Sequence, residues 1–132
     1  MRKDMGLFRG KRDDGKWVFG DLCHDWDGIP RCISNYCGSN PVAPNTVGEC
    51  TMMKDKNGKS IFEGDILQFN YIGENRGVEG VAAVEFCNGK FGVLWGWHRD
   101  FVSLDGFANT TIEIIGNVID NPELLERGVD NA

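Results

Sequence analysis

The sequence predicts an all-β fold. Short segments in which apolar and polar residues alternate, as in strands that bury one face, recur along the chain and are separated by Asx-Gly dipeptides that favour tight turns. Glycine is unusually frequent, with 18 scattered residues, which suits a chain with many turns. No segment has the apolar period of an amphipathic helix of three turns. We therefore predict one domain of short strands over residues 1–132.

The amino-terminal part, residues 1–50, is predicted to be a β-hairpin segment. Residues 16–23 alternate in polarity, and the dipeptide Asp14-Gly15 before them is a hairpin turn signal. Residues 29–35 are expected to pair as a further strand. Residues 38–46 contain two prolines and are predicted to be a loop.

Residues 51–120 are predicted to form a small closed barrel. Asn57-Gly58 predicts a type I′ hairpin, because both residues tolerate positive φ, and Asn88-Gly89 predicts a second tight turn. The strands predicted after the first turn are residues 65–72, 81–87, 90–97, 101–104 and 111–119. Short strands in such close succession favour closure, because a closed barrel has no exposed strand edges.

A short helix is predicted at residues 121–128. Asn121 is suited to cap it, Pro122 to occupy its first position, and Glu123 to lie near its positive end. Gly128 is expected to end the helix. The two leucines that follow Glu123 are expected to pack it against the sheet.

Composition and charge restrict the classes of function. The net charge of −6 argues against a general surface for duplex DNA, which requires clustered Lys and Arg. The basic residues near Arg9 and Lys11 are followed at once by Asp13 and Asp14. No stretch approaches the roughly 20 apolar residues of a membrane span, and the charged start has no signal-peptide core. We expect a cytoplasmic protein without a membrane partner, with nucleic acid disfavoured but kept as an alternative.

Three segments carry a family resemblance: WVFGDL at 17–22, TVGECTMMKDKNGKSIFEGDIL at 46–67 and IGNVIDNPELL at 115–125. In the central segment a charged Asn-Gly turn is followed by Glu-Gly-Asp and a β-branched strand. Together they resemble the YopX family of phage and prophage proteins, although Cys50, Met52 and Met53 stand where an aromatic residue, Gly and Leu are expected. The resemblance implies a phage or prophage origin and an SH3-like barrel. It implies no catalytic residues, because the family has no established activity.

The cysteines lack the spacing of a familiar metal site. No two of the five form a C-x-x-C pair, whereas structural zinc sites usually combine two closely spaced pairs. One set could supply four ligands at unfamiliar spacings: Cys23, His24, Cys32 and Cys37. We expect these thiols, together with Cys50 and Cys87, to be reduced and partly buried, without zinc, another cofactor or disulfides.

Two nucleophile–base pairs in the sequence would be signs of an enzyme. Cys87 and His98, with Asp100 as an orienting group, would lie on neighbouring strands across a hairpin turn. Cys23 and His24 are adjacent on one strand and therefore point to opposite faces. Neither arrangement is favoured over a structural or surface role.

Paired carboxylates and nucleotide-binding loops are also disfavoured. Glu63 and Asp65 would share a face if extended, but the sequence favours a turn in which Asp65 accepts backbone N–H groups and Gly64 adopts a conformation closed to other residues. The glycines match neither dinucleotide-binding nor P-loop patterns. We therefore predict that the protein is not an enzyme, with a hydrolase-like activity as the third-ranked alternative.

The aromatic strand offers the clearest partner surface. Phe91 and Val93 alternate onto one face with the following tryptophans, so core packing is the favoured role of this face. The alternative, which would give this strand a function, is an exposed partner-binding surface formed by Trp95, Trp97 and His98. We predict a phage or prophage accessory protein that binds another macromolecule, first of all a protein. Single-stranded nucleic acid stacked on exposed aromatic residues is the alternative, and self-association through this surface is a further expectation.

Overall fold

The computed structural model describes residues 7–35, 38–72, 77–95, 100–107 and 110–125, with only the backbone described at 70–72, 77–79, 95, 100, 106, 107 and 110. Within these ranges the chain is all-β, with eleven strands and two 3₁₀ turns. Its contacts divide it into two compact units, Met1–Cys50 and Thr51–Ala132.

The first unit is an antiparallel sheet with the strand order β4-β3-β2-β1-β5. Its strands are β1 (Phe8–Lys11), β2 (Trp17–His24), β3 (Pro30–Asn35), β4 (Gly38–Pro41) and the first residues of β5 (Gly48–Lys54). The predicted loop at 38–46 is therefore wrong in its first half. Pro41 is tolerated in β4 because β4 is an edge strand. On the side of an edge strand that pairs with no other strand, a residue without an N–H costs no ladder hydrogen bond.

Close backbone packing and one threonine shape the first unit. Gly10 faces Val42, and a Cβ at Gly10 would lie 2.9 Å from the Val42 side chain. The Thr46 hydroxyl accepts the N–H of Lys11 at 2.8 Å and donates to the Ala43 carbonyl at 2.6 Å. These bonds join the 3₁₀ turn Pro44–Thr46 to β1.

The second unit contains a five-stranded antiparallel sheet with the order β10-β9-β8-β7-β11. The end of β5 precedes β6 (Ser60–Phe62), β7 (Asp65–Ile72), β8 (Gly77–Cys87), β9 (Lys90–Trp95), β10 (Asp100–Ser103) and β11 (Thr110–Asn117). The long β8 pairs with β7 up to Ala83 and with β9 from Val84 onward. The buried core consists of Ile61, Leu67, Phe69, Ala82, Val84, Val93 and Leu104.

The predicted closed barrel is not confirmed. Closure would require β10 to pair with β11, and the described parts of these strands each pair on one side only. The free edge of β11 instead contacts the turn between β5 and β6. The N–H of Lys56 donates to the Ile112 carbonyl at 2.8 Å, and the Lys56 ammonium lies 3.3 Å from the Glu113 carboxylate. This turn protects an edge that closure was expected to remove.

Three hairpin turns share one geometry, at residues 12–16, 25–29 and 55–59. In each turn, the N–H of the first residue donates to the carbonyl of the fifth, and the N–H of the fourth residue donates to the carbonyl of the first. The fourth residue is a glycine with φ between +81° and +87°. This is a type I turn followed by a G1 bulge. The type I′ turn predicted at Asn57-Gly58 is therefore wrong, because only the glycine has positive φ.

A true type I′ turn occurs at the second predicted site. Asn88 and Gly89 have φ of +52° and +80°, and Cys87 pairs with Lys90 across them. The difference between the two Asn-Gly turns lies in a neighbouring side chain. Asp55 accepts the N–H of Asn57 at 2.9 Å, which holds the start of that turn in a right-handed conformation.

The carboxyl-terminal helix is confirmed in its first turn, where residues 123–125 are helical. The Asn121 side chain accepts the N–H of Asn117 at 3.3 Å rather than a helical N–H. Leu124 packs on the sheet, since a Cβ at Gly116 would lie 2.9 Å from its Cδ1. The predicted end at Gly128 lies outside the described residues.

Met52 occupies a backbone conformation that favours glycine, with φ of +72°. It lies where the family resemblance predicts glycine, and its side chain is exposed. We predict that Met52→Gly raises the free energy of unfolding by about 0.5–1 kcal/mol, because a side chain at positive φ is strained. Urea unfolding measures the change. The control is Met53→Gly, which should lower stability because Met53 packs on the core; equal destabilisation by both variants would contradict strain at Met52.

Candidate functional site

The partner surface predicted on the aromatic strand lies mostly outside the described residues. Trp97 and His98 fall outside them, and only the backbone of Trp95 is described, at the end of β9. The described part of β9 has the predicted alternation, since Val93 is buried in the core and Leu94 is exposed on the other face. A partner-binding role for Trp95, Trp97 and His98 therefore stays a prediction.

The central family motif has a structural role. The Thr51 hydroxyl donates to the Ile61 carbonyl at 2.7 Å and accepts the N–H of Met53 at 3.1 Å. Both bonds lie in the hairpin formed by β5 and β6. A polar side chain that is buried and bonded in this way holds the backbone rather than a ligand.

Asp55 accepts three backbone hydrogen bonds and is only 6% exposed. One carboxylate oxygen accepts the N–H groups of Asn57 at 2.9 Å and Lys59 at 3.0 Å, and the other accepts the N–H of Ile114 at 3.1 Å. Burial raises the pKa of Asp55, but these N–H groups and the charge of Lys59 outweigh it and hold the pKa below its ordinary value. The carboxylate joins the β5–β6 turn to β11.

The Glu-Gly-Asp sequence also serves the backbone. The buried carboxylate of Asp65 accepts the N–H of Phe62 at 2.8 Å, and Gly64 has φ of +92°. The Gly64 N–H donates to the Val84 carbonyl at 3.0 Å, and its carbonyl accepts the N–H of Val118 at 2.9 Å. This confirms the turn predicted at Glu63–Asp65.

The described residues contain no cluster of three or more His, Cys, Asp or Glu that could hold a metal ion. Of the predicted nucleophilic pairs, Cys87 is exposed, but His98 and the side chain of Asp100 lie outside the described residues. Cys23 lies opposite Cys32, whereas its neighbour His24 lies opposite Pro30 after a bulge. The structure thus gives no support to the Cys23–His24 pair, and the Cys87–His98 pair stays a prediction.

We predict that the purified, reduced protein contains no stoichiometric zinc and five titratable thiols after denaturation. The physical reason is the absence of paired cysteine knuckles in the sequence. Thiol titration in denaturant and elemental analysis measure both quantities. One zinc ion per chain would contradict the prediction and would assign Cys23, Cys32 and Cys37 as the first ligands to test.

A basic and aromatic group lies on the β1–β2 hairpin. The Arg9 guanidinium lies 4.8 Å and the Lys11 ammonium 5.9 Å from the centre of the Trp17 ring. Arg9 is only 8% exposed. Cation–π contacts of this kind stabilise a packed face, and a buried guanidinium is poorly placed to reach a phosphate.

The most exposed aromatic side chain among the described residues is Trp26, which is fully exposed. It lies at the tip of the β2–β3 hairpin, and two backbone bonds of 2.9 Å, from Asp25 N–H to Ile29 carbonyl and from Gly28 N–H to Asp25 carbonyl, close the turn. Arg31 donates to the Asp25 carboxylate at 2.6 Å beside it. An ordered turn therefore presents a tryptophan to solvent.

The family model described as YopX protein matches residues 8–126. The chain belongs to the YopX family. Two solved structures match it over 96% of their own length: protein yopX from Bacillus subtilis (TM-score 0.63, 23% identity, 89% of this chain) and protein EF1440 from Enterococcus faecalis (TM-score 0.61, 21% identity, 90% of this chain). No curated protein matches the chain.

Membership of the YopX family confirms the resemblance inferred from the three segments, and the solved structures support the fold alone. Since Thr51, Asp55 and Asp65 of the YopX motif bond to the backbone, they hold the fold and do not mark a functional surface. In the described part, no helix is long and apolar enough to cross a membrane.

Sequence reasoning missed Trp26. A signal for it was present, because Trp26 directly precedes Asp27-Gly28, a dipeptide that places its neighbours at the tip of a hairpin. Alternation of apolar and polar residues identifies aromatic side chains within strands. A single tryptophan in a turn belongs to no such alternation, so this pattern does not identify it.

Proposed function

We propose that this YopX family member is a non-enzymatic accessory protein of a phage or prophage that acts in the bacterial cytoplasm by binding another protein. The observation that supports it is the fully exposed Trp26 on an ordered hairpin tip. Tryptophan is enriched at protein interfaces and at the few positions that dominate their binding energy.

Burial of Trp26 would supply a substantial part of a binding free energy. A tryptophan that passes from water into an interface removes roughly 150–250 Å² from solvent, which corresponds to about 4–6 kcal/mol. The closed turn lowers the entropic cost, because its backbone is already fixed by hydrogen bonds. Ile29, the last residue of the turn, is also partly exposed.

The charges around the tip define the chemistry of the partner. Arg31 is neutralised by Asp25, whereas the Asp27 carboxylate accepts the N–H of Ile29 at 3.3 Å and keeps its negative charge exposed. The chain as a whole carries a net charge of −6. The complementary partner surface is an apolar pocket with a basic rim, which would accelerate association at low salt.

Single-stranded nucleic acid is the second candidate, and the group formed by Arg9, Lys11 and Trp17 favours it. An aromatic ring with cations beside it can stack a base while the cations attract the phosphate. The burial of Arg9 and the acidic net charge make this group a weaker ligand site than the hairpin tip.

The test is comparative capture from phage-infected host cells with the tagged wild-type protein, Trp26→Ala and Phe86→Ala. Phe86 is the matched control, because it is an aromatic residue that is 53% exposed and lies in the second unit, far along the chain from the turn at 25–29. We expect a host or phage protein that is retained by wild type and Phe86→Ala, and whose affinity, measured with the purified partner, falls about 30-fold or more with Trp26→Ala.

Two results would contradict the proposal. One is a partner bound equally by wild type and Trp26→Ala when thermal melting shows both to be folded. The other is binding to single-stranded oligonucleotides that weakens steeply with salt and is lost with Trp17→Ala, which would establish the second candidate.

A further inference from the structure

Two cysteines of the first unit face each other across adjacent strands. Cys23 of β2 and Cys32 of β3 are direct partners in the antiparallel register. Residues directly opposite in such a pair have Cα atoms about 4.5–5.5 Å apart, and a disulfide requires roughly 4.4–6.8 Å. Cys23 is exposed and Cys32 is partly exposed, so a small oxidant can reach the pair.

We infer that Cys23 and Cys32 form a reversible redox pair, a dithiol that closes into a cross-strand disulfide by exchange with a low-molecular-weight disulfide such as glutathione disulfide. The dithiol is the resting form expected in a reducing compartment. The disulfide forms when the ratio of oxidised to reduced small thiols rises.

Two small polar side chains, Ser34 and Ser39, lie beside the pair. The Cys23 sulfur lies 3.4 Å from the Ser34 hydroxyl, which lies 3.1 Å from the Ser39 hydroxyl. Partial burial and the neighbouring Cys23 thiol raise the pKa of Cys32, against hydrogen bonds from Ser39 and Ser34 that lower it. Cys23, Cys32, Ser34 and Ser39 form a cysteine–serine cluster.

The exchange proceeds in two balanced steps. The exposed Cys23 thiolate attacks glutathione disulfide, forms a mixed disulfide and releases one glutathione thiolate. The Cys32 thiolate then attacks the Cys23 sulfur, forms the intramolecular S–S bond and releases a second glutathione thiolate. Two protein thiols lose two electrons and two protons, and one glutathione disulfide gains the electrons and becomes two glutathione molecules.

The other described cysteines lack this arrangement. Cys50 is buried, and its N–H donates to the Leu7 carbonyl at 2.7 Å. Cys87 is exposed but lies opposite Lys90. Cys87 therefore serves as an internal control, because it offers the same oxidant an accessible thiol without a partner cysteine opposite it.

The disulfide would enclose the turn that carries Trp26, which lies between Cys23 and Cys32 in the chain. Closure of this short ring would further restrict the hairpin tip. This consequence rests on the proposed function, whereas formation of the disulfide does not.

The experiment uses the full chain with Cys37→Ser in every sample, so that no pairing with Cys37 contributes. The protein is equilibrated in glutathione buffers of increasing oxidation, quenched with alkylating reagent and mapped by mass spectrometry without reduction. We expect a linked pair of peptides containing Cys23 and Cys32, while Cys87 forms only a mixed disulfide. In Cys32→Ser, Cys23 should remain as the mixed disulfide.

The rate of closure supplies a second measurement. Loss of the Cys23 mixed disulfide should accelerate about tenfold per pH unit below the pKa of Cys32, because the attacking species is its thiolate. Mixed disulfides on Cys23, Cys32 and Cys87 alike, without a Cys23–Cys32 link at any buffer ratio, would overturn the inference. Because the link is mapped without any partner, its failure is distinguishable from failure of Trp26 to bind one.

Discussion

Gly20→Ala should lower the free energy of unfolding by about 3 kcal/mol, near the upper end of the cost of overpacking. An added Cβ would lie 2.2 Å from the Ser34 carbonyl oxygen and 3.1 Å from the Ile33 side chain. Ser34 contributes backbone here, so no side-chain rotation relieves the contact. β3 must move away from β2, which weakens the ladder that joins them.

Urea unfolding followed by tryptophan fluorescence measures this loss. The control is Asp21→Ala at the next, exposed position of β2, where a similar substitution meets no carbonyl and should change stability by about 0.5 kcal/mol or less. Equal midpoints for Gly20→Ala and wild type would show that the two strands tolerate a wider separation than the structure indicates.

Asp55→Ala should lower the free energy of unfolding by about 3 kcal/mol, because three backbone N–H groups lose a charged acceptor in a buried site. The bond to Ile114 is the most informative, since it joins residues 59 positions apart. The control is Asp25→Ala. Asp25 has the same position in the 25–29 turn, but its carboxylate is solvent-exposed and paired with Arg31, so its loss should cost under about 1 kcal/mol.

The contribution of Asp55 should also depend on pH. Its pKa in the folded protein is held below the ordinary value of 3.8, so its stabilisation is complete above the unfolded pKa and is lost as the pH falls through the folded pKa. The stability difference between wild type and Asp55→Asn should be constant from neutral pH down to about pH 5 and should shrink below about pH 4. A difference that grows on acidification would contradict this assignment.

Much of the fold was predictable because local rules act strongly in this chain. Polarity alternation located β2, β7 and β9, and Asx-Gly dipeptides located the turns at 12–16, 55–59 and 88–89. The role of Glu63–Asp65 as a turn was also predictable, because an Asp after a glycine can bond to the backbone nearby. β4 was missed because proline signals a loop unless the strand is known to lie at a sheet edge.

The candidate sites depend on features that local sequence patterns do not predict. The sequence drew attention to Trp95, Trp97 and His98, which stay a prediction, and passed over Trp26, whose exposure depends on a turn. The pairing of Cys23 with Cys32 depends on the register of two strands and on a bulge between Cys23 and His24. A shift of one residue would move the two thiols to opposite faces, so their spacing in the sequence does not reveal the pair.

By itself, the sequence determined the all-β class, the YopX family membership and most hairpin positions, because each depends on residues close together in the chain. Tertiary structure decided the turn type at Asn57-Gly58. It also decided that the described part of β11 keeps an edge unpaired by β10, to which Asp55 and Lys56 of the distant β5–β6 turn bond. It also decided the positive φ of Met52 and the close approach at Gly20. These features depend on which backbone segments become neighbours, and the neighbours are set only when strands distant in the sequence pair with each other.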